Sequence, residues 1–174
     1  MKVPKIILKF FNKKKYKTNK DLELYNSSYK KIIETISYNI QNRTKLNFLH
    51  SGHVGDIVTS LAVIKKLSLT HECNLYINLN KKVDYEYNNH PGKGFFMNER
   101  LFNNLHPLLK CQNFLSNVKI YENENIDVNL DYFRTLPVKL INPPRYYFHL
   151  LGEKVDLSKS FLNVNEHKKI KNKI

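Results

Sequence analysis

Short apolar runs alternate along the chain with longer stretches in which apolar side chains recur at helical spacing. The runs lie within 46–49, 73–79, 118–123 and 126–133. Runs of this length that are rich in Leu, Ile, Val and aromatic residues are typical of strands in a protein core. The pattern therefore predicts four strands.

Four stretches between or beside these runs have the periodicity of amphipathic helices. They span 21–42, 57–67, 99–109 and 144–151. Pro107 has no amide hydrogen for the helix ladder, so we expect it to split or kink the third helix. Gly152 follows the fourth stretch at the position where glycine commonly ends a helix.

The order of these elements predicts the fold class. Strands that alternate with helices form a parallel sheet with helices on both faces, so we expect an α/β, Rossmann-like domain over 45–165. Phe48 and Ile77 should lie in neighbouring parallel strands, because one crossover helix separates their runs. A basic segment and amphipathic helix over 1–44 would precede this domain. Residues 166–174 would be either a basic tail or the start of a missing second domain.

A glycine turn joins the first strand to its helix in the stretch HSGHVGD, 50–56. Gly52 and Gly55 allow backbone conformations that other residues avoid, and Asp56 stands where a helix N-cap is expected. In a parallel sheet, ligands bind beyond the carboxyl ends of the strands, where this turn lies. Neither G-x-G-x-x-G nor G-x-x-x-x-G-K-[ST] is present, so the turn is not a standard dinucleotide or P-loop site.

The formal net charge of +14 raises the question of a nucleic-acid partner. Residues 1–20 contain eight lysines and residues 168–174 contain four, and neither segment contains an acidic residue. The remaining residues, 21–167, carry a formal charge of only +2. Binding to a phosphate backbone needs a basic face, so we expect no specific nucleic-acid binding by the folded part.

The N-terminal segment has features of a surface-binding helix rather than a membrane span. Lys9 makes its apolar run shorter than a signal-peptide core, and no stretch of the chain approaches the ~20 apolar residues of a spanning helix. On a helix, one side would carry the apolar residues Val3, Ile6, Ile7, Phe10 and Phe11. Two interpretations stay open, contact with an anionic membrane surface and a solvated lysine-rich tail.

Cysteine and histidine usage predicts a cytoplasmic protein without a metal centre. Cys73 and Cys111 have neither zinc-like spacing nor the density of a disulfide framework, so reduced thiols are expected. His50 and His53 lack an evident third ligand. Any membrane contact would therefore be peripheral and on the inner face.

Three stretches resemble the heptosyltransferase-like enzymes of glycosyltransferase family 9. They are Gly55-Asp56 with the following IVTSLAVIKKL, IDVNLDYFRTLP at 126–137, and PPRYYFHLLG at 143–152. The likeness extends over 45–165. It implies the GT-B architecture of two Rossmann-like domains, of which this chain would hold the first, acceptor-binding half.

The resemblance also implies a reaction. The family transfers a sugar, with inversion, from a nucleotide-sugar to a saccharide or glycolipid acceptor of the cell envelope. Asp56 would be the general base for the acceptor hydroxyl, and Gly55 would let the acceptor approach the backbone. No metal or resident cofactor is implied, and the nucleotide-sugar would require a second, donor-binding domain or a partner that supplies it. The local alternative is that Asp56 only caps the helix.

Other candidate acceptor contacts lie in the turn and after the last predicted strand. They are Gly52, His53, Asp131 and Arg134. His53 is otherwise a solvent-facing loop residue, and Asp131 with Arg134 is otherwise an ordinary surface ion pair. The alternative function for the whole chain is a non-catalytic α/β binding or interaction module that keeps the fold and the turn.

Overall fold

The computed structural model describes residues 9–10, 12–24, 29–83, 91–135 and 143–164. In these residues the chain forms helices α1 to α5, strands β1 to β4 and a 3₁₀ helix. In chain order they are α1 (Lys13–Leu24), α2 (Lys30–Asn42), β1 (Lys45–His50), α3 (Val54–Leu67), β2 (Glu72–Ile77), α4 (Glu99–Lys110), β3 (Asn117–Ile120), β4 (Val128–Asn129), the 3₁₀ helix (Leu130–Thr135) and α5 (Pro143–Leu150).

The four strands form one parallel sheet in the order β3-β2-β1-β4. Phe48 of β1 lies opposite Leu75 of β2 and Val128 of β4, and His50 lies opposite Ile77. The predicted parallel pairing of the Phe48 and Ile77 strands is therefore confirmed. This strand order is the one that begins a Rossmann sheet, and the fold is α/β and Rossmann-like.

Helices cover both faces of the sheet. Side chains of a strand alternate between its faces, so Phe48 and His50 share one face and Leu49 lies on the other. Tyr147 of α5 bonds to His50, and α3 contacts α5, which places both helices on the His50 face. Ile36 of α2 lines a groove together with Leu49, which places α2 on the opposite face. The prediction of helices on both faces is confirmed.

A row of asparagine side chains runs across three strands. Asn47, Asn74 and Asn117 occupy matching register positions on β1, β2 and β3. The Asn117 amide donates to Asn74, and the Asn74 amide donates to Asn47, each over 2.9 Å. A register slip by one residue would break both bonds, so the row helps to fix the strand alignment.

The helix predicted over 21–42 is found in two parts. α1 ends at Leu24 and α2 begins at Lys30, while 25–28 lie outside the described residues. Most of the apolar stripe predicted near the N-terminus, including Val3, also lies outside them.

Pro107 does not split α4, which runs continuously from Glu99 to Lys110. The proline lies in the last turn, and its own carbonyl still accepts a hydrogen bond from the amide of Cys111 over 3.2 Å. Burial of Phe102, Leu105 and Leu109 holds the apolar face of the helix in place. The expected split was wrong because one missing ladder bond near a helix end costs less than that packing contributes.

The last predicted strand is mostly a 3₁₀ helix. β4 spans only Val128–Asn129, and the side chain of Asn129 then accepts the amide of Asp131 over 3.0 Å. This local bond turns the chain away from the strand direction. Leu130 and Phe133 are both buried, and their spacing of three residues fits a 3₁₀ helix rather than a strand.

Candidate functional site

The candidate site lies at the carboxyl ends of β1 and β4, where the chain leaves the sheet in two directions. From β1 it passes through the predicted turn into α3, and from β4 it enters the 3₁₀ helix. β2 and β3 lie on one side of β1, and β4 lies on its other side. The strand order therefore reverses its direction at β1, and the carboxyl ends of β1 and β4 form the switch point of the sheet. The two segments are joined here by Arg134 to Asp56 over 3.3 Å, by the Ser51 amide to Asp131 over 3.0 Å, and by the Ser51 hydroxyl to Asp131.

Asp56 caps α3, although not from the expected N-cap position. α3 begins at Val54, so His53 is the N-cap and Asp56 is the third residue of the helix. From there the Oδ2 atom of Asp56 reaches back and accepts the amide hydrogen of His53 over 3.2 Å. The N-cap assignment was wrong by three positions because the helix takes in Val54 and Gly55, but the acid still satisfies an N-terminal amide.

The two carboxylate oxygens of Asp56 have different surroundings. Oδ2 accepts both the His53 amide and Nη2 of Arg134. Oδ1 accepts no hydrogen bond from any described residue, and the side chain is 32% exposed. One oxygen therefore anchors the carboxylate, while the other has no hydrogen-bond partner among the described residues.

The carboxylate of Asp131 accepts several hydrogen bonds within the protein and is not exposed to a ligand. Its Oδ1 accepts the Ser51 amide and Nη1 of Arg134, over 3.0 and 2.9 Å. Its Oδ2 accepts the Ser51 hydroxyl and, over 2.9 Å, Nζ of Lys81. Both oxygens are occupied and only 9% of the side chain is exposed, so the geometry favours a positioning role over the predicted acceptor contact.

The protonation state of Asp131 follows from this environment. Burial opposes ionisation, but the neighbouring His50 side chain and the hydrogen bonds donated by Ser51 and Lys81 outweigh it and hold the pKa of Asp131 well below its usual range. Asp131 is therefore a fixed negative charge at neutral pH, to which Lys81 and Arg134 are attached.

His50 ends β1 and is fully buried behind the turn. Its Nδ1 accepts the amide hydrogen of Gly52 over 2.9 Å, so Nε2 carries the proton of the neutral ring and donates to the Tyr147 hydroxyl over 2.8 Å. Nδ1 also lies 3.4 Å from Asp131 Oδ1, too far to compete with the amide. Burial, with the negative charge of Asp56, raises the pKa of Tyr147, so Tyr147 stays a neutral phenol.

Four residues contact the guanidinium of Arg134. Its guanidinium lies 4.5 Å from the ring centre of Phe96 and 4.6 Å from that of Phe133, while its nitrogens bond to Asp131 and Asp56. Phe96 also meets the His53 ring edge to face at 4.9 Å. Two cation–π contacts in addition to the two carboxylate bonds leave the guanidinium little rotational freedom. These contacts fix Arg134 beside the carboxylate of Asp56.

The two glycines of the turn have different roles, and neither has the positive φ that the sequence suggested. A Cβ on Gly52 would lie 2.5 Å from Cε1 of His50 and 2.6 Å from Nη2 of Arg134, so glycine is required there by close packing. Gly52 is buried, which does not favour its predicted contact with an acceptor. A Cβ on Gly55 would meet nothing within 4 Å, and this exposed residue leaves open space at the first turn of α3.

The structure adds His50, Ser51, Lys81, Phe96 and Tyr147 to the residues predicted from the sequence. A short antiparallel bridge between Lys82 and Phe95 brings the neighbouring Lys81 and Phe96 to the site. Only His50 and Ser51 gave a sequence signal, as polar residues directly after an apolar run. Within the described ranges, no three His, Cys, Asp or Glu side chains come together in a way that could hold a metal ion.

We expect Gly52→Ala to lower the free energy of unfolding by about 2 kcal/mol, because the added methyl group forces the His50 and Arg134 side chains apart. Gly55→Ala is the matched control, and its stability should be unchanged or higher by up to ~1 kcal/mol. Urea denaturation of both variants measures the difference. Equal stability of the two variants would contradict the close packing at Gly52.

We expect Asp131→Asn to lower the free energy of unfolding by about 3 kcal/mol at pH 7, because it leaves Lys81 and Arg134 without their shared counter-charge. A carboxyl with a depressed pKa contributes stability that is present above its unfolded pKa of about 3.9 and is lost as pH falls towards the folded pKa. The difference from the natural protein should therefore shrink below pH ~4. Urea titrations at several pH values measure it, with the exposed Glu122→Gln as control. A difference that stays constant down to pH ~2.5 would refute the assignment.

Comparison of the chain with family models, with curated proteins and with solved structures found no match. The arrangement around Asp56, Asp131 and Arg134 is therefore interpreted from its own geometry and chemistry.

Proposed function

We propose that this chain forms the acceptor-binding half of an inverting glycosyltransferase that transfers a sugar from a nucleotide-sugar to a cell-envelope saccharide. The observation that carries the proposal is the partly exposed carboxylate of Asp56 at the switch point of a Rossmann-like sheet, whose Oδ1 atom has no partner among the described residues. A general base for such a transfer needs one free carboxylate oxygen and a fixed orientation. Asp56 meets both requirements, because Oδ2 caps the helix and Oδ1 would accept the proton.

In the proposed reaction, the acceptor hydroxyl donates its hydrogen bond to Oδ1 of Asp56. As the acceptor oxygen bonds to the anomeric carbon of the donor, its proton passes to Oδ1. The nucleoside diphosphate leaves from the opposite side with the electron pair of the broken C–O bond, and the configuration inverts. The donor-binding side would come from a second domain or a partner.

The neighbouring residues would position the base and the acceptor. Arg134 and the His53 amide hold Oδ2, which leaves Oδ1 for the acceptor hydroxyl in this proposal. The exposed backbone at Gly55 offers space for the acceptor next to the first turn of α3, whose amides favour hydroxyl-rich or anionic groups. His53 directly precedes α3 and is half-buried, which is compatible with the predicted acceptor contact.

We expect Asp56→Asn to lower kcat at least about 100-fold in a chain fused to a donor-binding domain, because general-base assistance is typically worth 10²–10⁴-fold. Acceptor affinity and thermal stability should change little, since the Asn side-chain oxygen can still accept the His53 amide. Asp56→Ala should in addition lose about 1 kcal/mol of stability. Product formation by mass spectrometry, beside thermal melts, measures both effects.

Glu99→Gln is the matched control, because Glu99 is the first-turn acid of α4 and takes no part in the network around Asp131. Its kcat should equal that of the natural sequence. If Asp56→Asn keeps near-normal turnover, the carboxylate is only a helix cap.

A second candidate function is the non-catalytic binding or interaction module. The observation that favours it is the internal pairing of the four charges at the site, in which Lys81 and Arg134 neutralise Asp56 and Asp131. Such a closed network can serve stability alone. Saccharide binding without sugar transfer in any fusion would favour the module, and measurable transfer would favour the enzyme.

We also propose that the N-terminal region contacts an anionic membrane surface from the cytoplasmic side. The lysines of α1, which are Lys13, Lys14, Lys15, Lys17 and Lys20, are all exposed, and Phe10 just before it is 75% exposed. Basic residues beside an apolar side chain favour binding to acidic headgroups. Across the described part of the chain, no helix has the length and apolar character that a membrane crossing requires.

We expect a triple variant of α1, Lys13→Gln, Lys14→Gln and Lys15→Gln, to bind vesicles with 30% anionic lipid at least ~10-fold more weakly, since each lysine near such a surface contributes about 1 kcal/mol. The control replaces three exposed lysines elsewhere, Lys82, Lys110 and Lys119, with Gln. Vesicle co-sedimentation at two salt concentrations measures binding. An equal loss of vesicle binding in both variants would show a non-specific charge effect. Tighter binding of the natural sequence to oligonucleotides than to vesicles would favour nucleic acid as the partner of the N-terminal region.

A further inference from the structure

A groove of about 520 Å³ lies on the α2 face of the sheet. α2 forms one wall, the segment between β3 and β4 forms the other, and Leu49 and Asn129 come from the sheet. Its volume lies within the range of small-molecule sites, roughly 300–1,000 Å³. The groove lies on the face of the sheet opposite His50, and none of its lining side chains bonds to the Asp131 carboxylate.

The groove exists because the connection from β3 to β4 is unusually short. Parallel strands are normally joined by about a dozen residues or more, most often with a helix that covers the sheet. Here residues 121–127 cross without a helix, and they leave Leu49 only half-buried. A space of this kind is a direct consequence of the topology.

Hydrogen bonds hold both walls in place. Asn39 of α2 donates to the carbonyl of Asp127 over 2.8 Å, and Asn47 of β1 donates to the carbonyl of Asn125 over 2.8 Å. Arg43, directly after α2, bonds to the Asp127 carboxylate over 2.7 Å. These contacts pin the crossing segment at its end, so the groove is preformed in the described structure.

The lining combines apolar, aromatic and uncharged polar groups. Ile36, Leu49 and Ile126 contribute apolar surface, and Tyr121 and Tyr132 contribute rings with hydroxyl groups. The Asn129 side chain also lines the groove, and its amide nitrogen donates no hydrogen bond to the described residues. A fitting ligand therefore presents an apolar face to the rings and hydroxyl or carbonyl oxygens to the amide and phenol donors.

The charges of the lining disfavour an ionic ligand. The Asp127 carboxylate is 4% exposed and is already bonded to Arg43 and to the Asn47 amide. Lys31, at the exposed end of the lining, is the cation that faces the groove among the described lining residues. An anion would have one solvated lysine as its partner, which is a weak attraction.

We propose that this groove binds the ring of a neutral pyranoside. Such a ring has a face of C–H groups for Tyr132 or Tyr121 and an edge of hydroxyl groups for Asn129 and the phenols. The 3₁₀ helix that carries Tyr132 also carries Asp131 and Arg134, so a sugar in the groove lies against the element that builds the other site. This binding does not require that the chain transfer sugars.

The test is an NMR titration of the ¹⁵N-labelled chain with methyl glycosides of glucose, galactose, mannose and N-acetylglucosamine. We expect at least one of them to cause saturable shifts of the Asn129 side-chain amide and of the Tyr132 backbone amide, with a Kd on the order of 1–30 mM for a ligand of this size. Tyr132→Ala should weaken binding at least ~10-fold. Tyr38→Ala, which removes an exposed tyrosine of α2 outside the lining, should leave binding unchanged.

The outcomes separate this inference from the proposed transferase. Asp56→Asn should bind the glycosides in the groove as tightly as the natural sequence does, so loss of transfer and loss of groove binding are independent. The inference is overturned if no glycoside gives saturable shifts at the groove, if Tyr132→Ala binds normally, or if only glucose 6-phosphate or a nucleoside binds there. Shifts confined to Gly55 and Asp56 would also overturn it, while they would support the acceptor site.

Discussion

The ionised carboxylate of Asp131 is the constraint on which the candidate site depends. It joins three segments that are far apart in the chain, through Ser51 after β1, Lys81 after β2 and Arg134 in the 3₁₀ helix. A largely buried charge is tolerated only when donors surround it, so these segments cannot move apart without exposing or stranding it. The positions of Ser51, Lys81 and Arg134 at the switch point therefore depend on this carboxylate.

The orientation of the Asp56 carboxylate also depends on Asp131, through Arg134. Asp131 and two aromatic rings fix Arg134 in the position from which it holds one oxygen of Asp56. The absence of a side chain at Gly52 is what lets His50, Arg134 and Asp56 meet around the same backbone atoms. Helix capping and an open carboxylate oxygen, which look like competing interpretations in the sequence, are compatible in this geometry.

The 3₁₀ helix after β4 connects the two ligand-binding hypotheses. Asp131 and Arg134 belong to the network around Asp56, and Tyr132 belongs to the groove on the α2 face. The Asn129 side chain, which ends β4 by accepting the Asp131 amide, also lines that groove. The 3₁₀ helix, which begins at the bond between the Asn129 side chain and the Asp131 amide, thus presents residues to both faces of the sheet at its carboxyl edge.

Local periodicity was enough to predict β1, α3, β2, α5 and the parallel α/β class, because burial of one helix or strand face leaves a repeat in neighbouring residues. It was also enough to place the turn and to mark Asp56 as a capping acid, since both depend on contacts within a few residues. Periodicity did not predict how short β4 is, because one Asn129 side-chain bond ends the strand within an apolar run. It also did not predict that α4 is unbroken, because burial of the apolar face of α4 outweighs the effect of Pro107. The network around Asp131, the approach of Lys81 and the bond between His50 and Tyr147 were decided by the tertiary structure alone. Apart from Arg134, which lies three positions from Asp131, these partners lie 50 or more positions apart, and the strand order β3-β2-β1-β4 brings them to the same edge of the sheet.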